Sequence, residues 1–133
     1  MKPLFADTFY YFALLIPRDP AHSKAVAATE RLKCPIVTTA WVLTELGNAM
    51  ASPENRGVFV SFADALERNP DVTIVPPSRS LFTKGMSLYR KRQDKSWSLT
   101  DCISFTVMEQ CGITSALTGD HHFEQAGFRA LLK

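Results

Sequence analysis

Residues Leu99–Asp120 read LTDCISFTVMEQCGITSALTGD: a helical apolar pattern, a glycine and a short apolar run in direct succession. Ser98 stands where an N-cap belongs, so the pattern predicts a helix through DCISFTVMEQ that ends at Gly112, followed by a strand over ITSALT. Two aspartates bracket this unit, Asp101 in the first turn of the helix and Asp120 just beyond the strand, and Glu109 is the only charge between them. Carboxylates are costly to bury unless they are paired or bound to a cation. The remainder of the chain has to supply a reason for two of them at the mouths of buried elements.

The same alternation extends towards both termini. PLFA is a strand before Asp7, and TFYYFALLI is a helix that stops at Pro17. Asp19-Pro20 offers an N-cap and a first-turn proline for a helix through AHSKAVAATERLK. PIVTT is a strand, Thr39 caps a helix AWVLTELGNAM, and the helical spacing of Phe59, Phe62, Ala63 and Leu66 predicts a helix over NRGVFVSFADALERN. DVTIVPP is a strand closed by two prolines, SRSLFTKGMSLYRKR a helix and QDKSW a loop. After Asp120, HHFEQA forms a short helix closed by Gly127, and FRALL is a last strand. Alternation of this kind predicts an α/β fold with a mainly parallel, about five-stranded sheet covered on both faces, in one domain over residues 1–133. Parallel sheets bind ligands at the carboxyl ends of their strands. Asp7 and Asp120 fall at such ends, and Glu45 and Asp101 lie on helices that begin near the same edge.

The bulk numbers agree with a single globular domain. The chain has 133 residues, 46% apolar and 21% charged, ordinary values for a soluble protein. No apolar run reaches the ~18–20 residues that span a bilayer, and no membrane association is expected. Asp7 breaks the apolar N-terminal stretch and no small-residue cleavage site follows, which argues against a signal peptide. Cys34, Cys102 and Cys111 are odd in number and lack CxxC spacing, so a zinc ribbon or disulfide framework is not expected and a cytoplasmic, reducing location is. Each reads as a buried small hydrophobe. The net charge of +2 does not itself demand a nucleic-acid partner. Its distribution is more informative, with Lys84, Arg90, Lys91, Arg92 and Lys95 crowded together. Such a cluster is either a solvated face or, beside an acidic metal site, a hold on RNA phosphates.

Charges are scarce around four acids. Asp7 is the only charge between Lys2 and Arg18, Glu45 the only one between Lys33 and Glu54, Asp101 the only one between Lys95 and Glu109, and Asp120 is the next charge after Glu109. Asp7 also fits as a cap of the helix after it, and Asp101 as a first-turn acid favoured by the helix dipole. Glu45, in mid-helix beside Trp41, Val42, Asn48 and Ala49, has no such role; its plain alternative is a half-exposed surface glutamate. Lone buried carboxylates lose their charge, and several together repel unless a cation sits among them. Hard oxygen donors of this kind suit Mg²⁺ or Mn²⁺. One or two such ions can activate water and stabilise the leaving oxygen of a phosphodiester. His121 and His122 are adjacent and point about 100° apart on a helix, so one of them is expected to border the site and the other to be solvated. His22 reads as a surface residue. Phe9, Tyr10, Tyr11 and Trp41 read as core or interface residues before base-stacking platforms.

Three segments together, LFADTFYYFALLIPRDPAHSKA, VTTAWVLTELGNAM and WSLTDCISFTVMEQCGITSALTGDHHFEQAGF, resemble the PIN domain, in particular the VapC-like ribonuclease toxins of toxin–antitoxin pairs. The resemblance implies a three-layer α/β/α fold. It also implies a Mg²⁺- or Mn²⁺-dependent endoribonuclease with Asp7, Glu45, Asp101 and Asp120 as its acidic quartet, Thr8 and Thr118 as nearby hydroxyls and Asp94 as a further acid. Arg90, Lys91, Arg92 and Lys95 become candidates for RNA contact. A homodimer and an antitoxin protein that covers the acidic groove, often with a basic side chain, are the implied partners. One departure is the TGD sequence: Gly119 stands where the family more often has asparagine or a bulkier residue, which implies a looser turn before Asp120.

Other carboxylate proteins fit less well. A haloacid-dehalogenase-type phosphatase needs an aspartate two residues after the first, where this chain has Phe9. A response-regulator receiver needs an aspartate after the third strand, which DVTIVPP lacks, and there is no GxSxG nucleophile elbow. A housekeeping PIN nuclease of RNA maturation and a non-catalytic PIN scaffold remain as alternatives to the toxin.

Overall fold

The computed structural model of the protein describes residues 2–133. Five strands, β1 (Leu4–Ala6), β2 (Ile36–Thr39), β3 (Val72–Val75), β4 (Ser115–Leu117) and β5 (Arg129–Ala130), form one sheet in the order β3-β2-β1-β4-β5, every neighbouring pair parallel. Seven helices connect them: α1 (Thr8–Leu15), α2 (His22–Glu30), α3 (Ala40–Ala49), α4 (Pro53–Arg68), α5 (Arg79–Lys91), α6 (Leu99–Cys111) and α7 (His121–Gln125). The chain moves outward from β1 to β2 and β3, then returns across the sheet to β4 and β5. Right-handed crossovers therefore place α1–α4 against one face and α5–α7 against the other.

The local signals that set these elements are largely those in the sequence. Thr39 Oγ1 accepts from Val42 N–H at 3.1 Å and caps α3. Ser98 Oγ accepts from Asp101 N–H at 3.0 Å while Asp101 Oδ2 accepts from Ser98 N–H at 3.1 Å, a reciprocal capping box that starts α6. Gly112 ends α6 in the left-handed region, at φ 67°, where a side chain would be strained.

Some expectations require correction. α2 begins at His22, later than the Asp19 cap implied, because residues 19–21 form a turn in which Asp19 Oδ1 accepts from Ala21 N–H at 2.8 Å. α4 starts earlier, with Pro53 in its first turn, where its lost N–H costs nothing. β5 is only two residues long. His22 is half-buried, its Nδ1 hydrogen-bonded to the Ala13 carbonyl at 2.8 Å, and so joins α2 to α1. Of the cysteines only Cys102 is buried; Cys34 is partly exposed and Cys111 exposed.

The core is built on Phe5, Leu46, Met50, Ile103, Met108 and Phe123, all fully buried. A run of rings links the loop before α6 to β1: Trp97–Phe105 at 5.1 Å, Phe105–Phe123 at 4.9 Å and Phe123–Phe5 at 6.3 Å between centroids. The first two contacts are edge-on, the favoured arrangement. The indole N–H of Trp97 donates to Gln125 Oε1 at 2.9 Å, so α7 and the α5–α6 loop are fastened to each other.

Helices α5 and α6 approach closely because Gly85 is buried against Ile103. A Cβ at Gly85 would stand 2.4 Å from Ile103 Cγ1 and 3.4 Å from its Cα. Gly85→Ala should therefore destabilise the protein by about 1–3 kcal/mol despite alanine's better helix propensity. Urea unfolding followed by circular dichroism measures this; a stabilised variant would mean that α5 shifts freely on α6.

Candidate functional site

The strand order reverses between β1 and β4, so the crossovers that leave them depart in opposite directions and open a crevice at their carboxyl ends. Asp7 follows β1 directly and its N–H donates to the Leu117 carbonyl at the end of β4, at 3.3 Å. Behind it, Thr38 Oγ1 donates to the Ala6 carbonyl at 2.8 Å and fixes the end of β1 to β2. Asp7 occupies the N-cap position of α1 but makes no side-chain capping bond. Its Oδ2 accepts instead from the Thr118 hydroxyl at 2.8 Å, a buried contact across 111 residues of chain.

Thr118 Oγ1 also accepts from Asp120 N–H at 3.1 Å, so a single hydroxyl joins Asp7 to the turn carrying Asp120. Asp120 Oδ1 accepts from His122 N–H at 2.9 Å and caps α7. These bonds define the TGD turn, contrary to the looser geometry that Gly119 implied. Asp101 reaches the crevice from the capping box of α6, and Glu45 from the middle of α3. Asp7, Glu45, Asp101 and Asp120 all line one cavity of about 430 Å³. Thr8 lines it too, with its hydroxyl buried and without a partner. Thr118 is not in the lining; it acts from behind through Asp7.

Burial raises the Asp7 carboxyl from the ordinary 3.8 to about 7; the Thr118 hydrogen bond opposes the shift, while Asp101 and Glu45 add to it. Asp101 is also raised, chiefly by burial and further by Asp120, against the opposing Ser98 and His122 hydrogen bonds. No lysine or arginine lines the cavity. His122 lines it, its Nδ1 3.2 Å from Asp101 Oδ2 and 3.4 Å from Asp120 Oδ1. Four carboxylates lining one cavity, an orphaned hydroxyl and no lysine or arginine among the described lining residues fit a hard divalent cation. The two histidines diverge less than expected. Their ring centroids are 4.4 Å apart, and one ligand atom from each lies within 4.8 Å of one on Asp120. Only His122 lines the cavity; His121 is exposed.

The same cavity has an apolar part to its lining, with Phe9, Phe12 and Ala49. Tyr10 and Tyr11 are core residues and Trp41 packs against the core, whereas Phe9 is 37% exposed. Among the basic candidates, Arg90 and Lys91 are exposed at the end of α5. Arg92 and Lys95 line a second cavity that shares Ser96 and Ser98 with the acidic one. The guanidinium of Arg92 lies 5.0 Å from the Trp97 ring centroid and makes two 3.0 Å bonds to Asp94. Asp94 is thus committed to Arg92, which lowers its carboxyl to about 2, and it does not line the acidic cavity. The two signals that sequence reasoning missed are the capping-box glimpse of Asp101, visible in S-x-x-D, and the apolar part of the lining, which has no local signature.

Comparison with known proteins places this geometry. The model of the PIN domain family matches residues 4–129. The fold is similar to that of Mycobacterium tuberculosis VapC20, a toxin that cleaves the sarcin-ricin loop, at 24% identity and a TM-score of 0.86 over 94% of this chain and 95% of that one. It is also similar to FitAcB from Neisseria gonorrhoeae, at 20% identity and a TM-score of 0.65 over 96% and 94% of the two chains. A search of curated proteins finds no match. Among the described residues no helix is long and apolar enough to cross a membrane.

The raised Asp7 carboxyl has a consequence for stability without metal. Between the unfolded value near 3.9 and the folded value of about 7, the native state holds a proton that the unfolded chain has lost, so stability falls as pH rises through this window. In EDTA the stability should fall between pH 5 and pH 8 by on the order of 2–4 kcal/mol, read as a drop in melting temperature. Asp7→Asn should flatten most of that slope and raise the melting temperature at pH 8. A slope unchanged in Asp7→Asn would show that Asp7 is not the group responsible.

Proposed function

Because this chain belongs to the PIN domain family, we propose that it is a metal-dependent endoribonuclease that hydrolyses RNA phosphodiester bonds, acting as the toxin of a toxin–antitoxin pair. The observation that carries the reading is the meeting of Asp7, Glu45, Asp101 and Asp120 on one cavity at the switch point of the sheet. A non-catalytic scaffold has no need of all four. The similarity in fold to VapC20, itself a toxin that cleaves an RNA loop, favours the toxin over a housekeeping nuclease.

The four acids would hold Mg²⁺ or Mn²⁺, which supplies an activated water and charge compensation for the phosphodiester. The chain's own contribution is preorganisation. Thr118 orients Asp7 and the Asp120 turn through one hydroxyl. Ser98 N–H and His122 both engage Oδ2 of Asp101, which leaves Oδ1 without a hydrogen-bond partner. The Thr8 side chain lines the cavity and its buried hydroxyl has no hydrogen-bond partner. Arg92 and Lys95 border the adjoining cavity and Arg90 and Lys91 stand just beyond it, so further phosphates of the same RNA would find positive charge where the acids end.

The toxin reading brings two partners. An antitoxin protein would silence the enzyme by placing a basic side chain among the carboxylates. A second copy of the chain would form a homodimer, a reading supported by the large apolar side chains left exposed on α4 (Val58, Val60) and α5 (Phe82, Tyr89).

The test is cleavage of a panel of labelled single-stranded and hairpin RNAs by the purified protein in Mg²⁺, Mn²⁺ or EDTA. Cleavage should require the metal and leave a 5′-phosphate. Asp101→Asn should reduce it by more than the ~10–100-fold typical of residues that merely support a metal site. Cleavage that persists in EDTA or in Asp101→Asn would overturn the assignment.

A further inference from the structure

The acidic cavity has a lining of two kinds. Carboxylates make up one part, and the 37% exposed ring of Phe9, with Phe12 and Ala49, makes up an apolar part. A divalent cation and a phosphate account for the carboxylates only. Phe9 lies outside the core cluster, whereas Tyr10 and Tyr11 beside it in sequence are buried in that cluster.

Gly119 bears on the same ring. A Cβ at this position would stand 2.5 Å from Phe9 Cζ and 2.7 Å from Cε1. The far end of the ring is therefore lodged against the Gly119 backbone, in space that any other residue would fill. Gly119 does not have a positive φ, so the turn itself does not require glycine; the ring does. The residue that departs from the usual TGD-position pattern and the aromatic at the cavity mouth are one structural unit.

We propose that Phe9, seated on Gly119, is a base-stacking platform: it receives the nucleobase of an RNA nucleotide whose phosphate lies at the carboxylates. A nucleotide is the ligand class that joins an anionic group needing a cation to a flat apolar face. A cavity of about 430 Å³ is within the range that encloses small-molecule ligands. Stacking on one aromatic ring tolerates every base, so the platform positions a nucleotide and raises affinity without fixing its identity. The proposal rests on the nuclease reading, since it takes RNA as the occupant.

The experiment uses hairpin and single-stranded RNAs that carry 2-aminopurine at successive positions, bound to the Asp101→Asn protein in Mn²⁺. Stacking on Phe9 should quench the fluorescence of one position. In the same background Phe9→Leu, which keeps the apolar bulk, should abolish that quenching and weaken binding about 5- to 150-fold; Phe9→Trp should restore both. Gly119→Ala, which displaces the ring without removing it, should also reduce the quenching. Circular dichroism melts of each variant confirm folding. If wild-type protein cleaves an RNA in Mn²⁺ but no position is quenched, or Phe9→Leu quenches equally, the platform is overturned and the nuclease stands. If no RNA is bound or cleaved, both readings fall.

Discussion

Like charges drawn into a poorly solvated crevice repel one another, and much of this molecule is arranged to keep four of them there. The interaction energy of two charges a few ångströms apart rises steeply as water is removed, and burial, with the charges of Asp101 and Glu45 added, pushes Asp7 to about 7. Flexible loops would let the carboxylates part. Here each is held by an element that cannot move alone: Asp7 by β1 between its two neighbours, Glu45 by α3, Asp101 by its capping box and Asp120 by the Thr118 bond and the start of α7. A site that stores repulsion in this way trades stability for function, and the aromatic packing beneath it is where the stability is recovered. The chain of rings from Trp97 through Phe105 and Phe123 to Phe5 joins the loop before Asp101, the helix after Asp120 and the strand before Asp7.

The sequence carried the fold because its signals are local. Apolar runs of strand length, the Thr39 and Ser98 caps and the stop at Gly112 each act within a few residues, and each reappears in place. The four acids were legible for a related reason: an isolated charge in an apolar run leaves few places for the chain to put it other than a shared site. What escaped the sequence is tertiary. His22 is no surface residue, because its ring finds the Ala13 carbonyl on another helix. Asp94 resembles a fifth acid until Arg92 is seen to claim both of its oxygens. Cys111, read as a buried small hydrophobe, faces solvent with Glu109 and Gln110, since the last turn of α6 extends beyond the core. Phe9, Tyr10 and Tyr11 are indistinguishable as letters; helical rotation turns two rings inward and leaves the first at the cavity.

Capping and metal holding look like competing explanations for the aspartates, but the capping bonds of Asp101 and Asp120 leave an oxygen free on each. Asp101 gives Oδ2 to the backbone of Ser98 and Asp120 gives Oδ1 to that of His122, so each retains a second oxygen for the crevice. Asp7 stands at the N-cap position and makes no capping bond at all. The consequence is that the N-termini of α1, α6 and α7 all converge on the acids. Each helix start carries a partial positive charge, worth about 0.3–1 kcal/mol to a nearby anion and ~2 kcal/mol at best, and α7 has only five residues to contribute. That is too little to offset the burial of Asp7 and Asp101, whose carboxyls are both raised. Glu45, in mid-helix, gains nothing from it. The helix starts therefore orient the acids and soften their repulsion, and in the proposed nuclease a divalent cation would supply the rest of the charge balance.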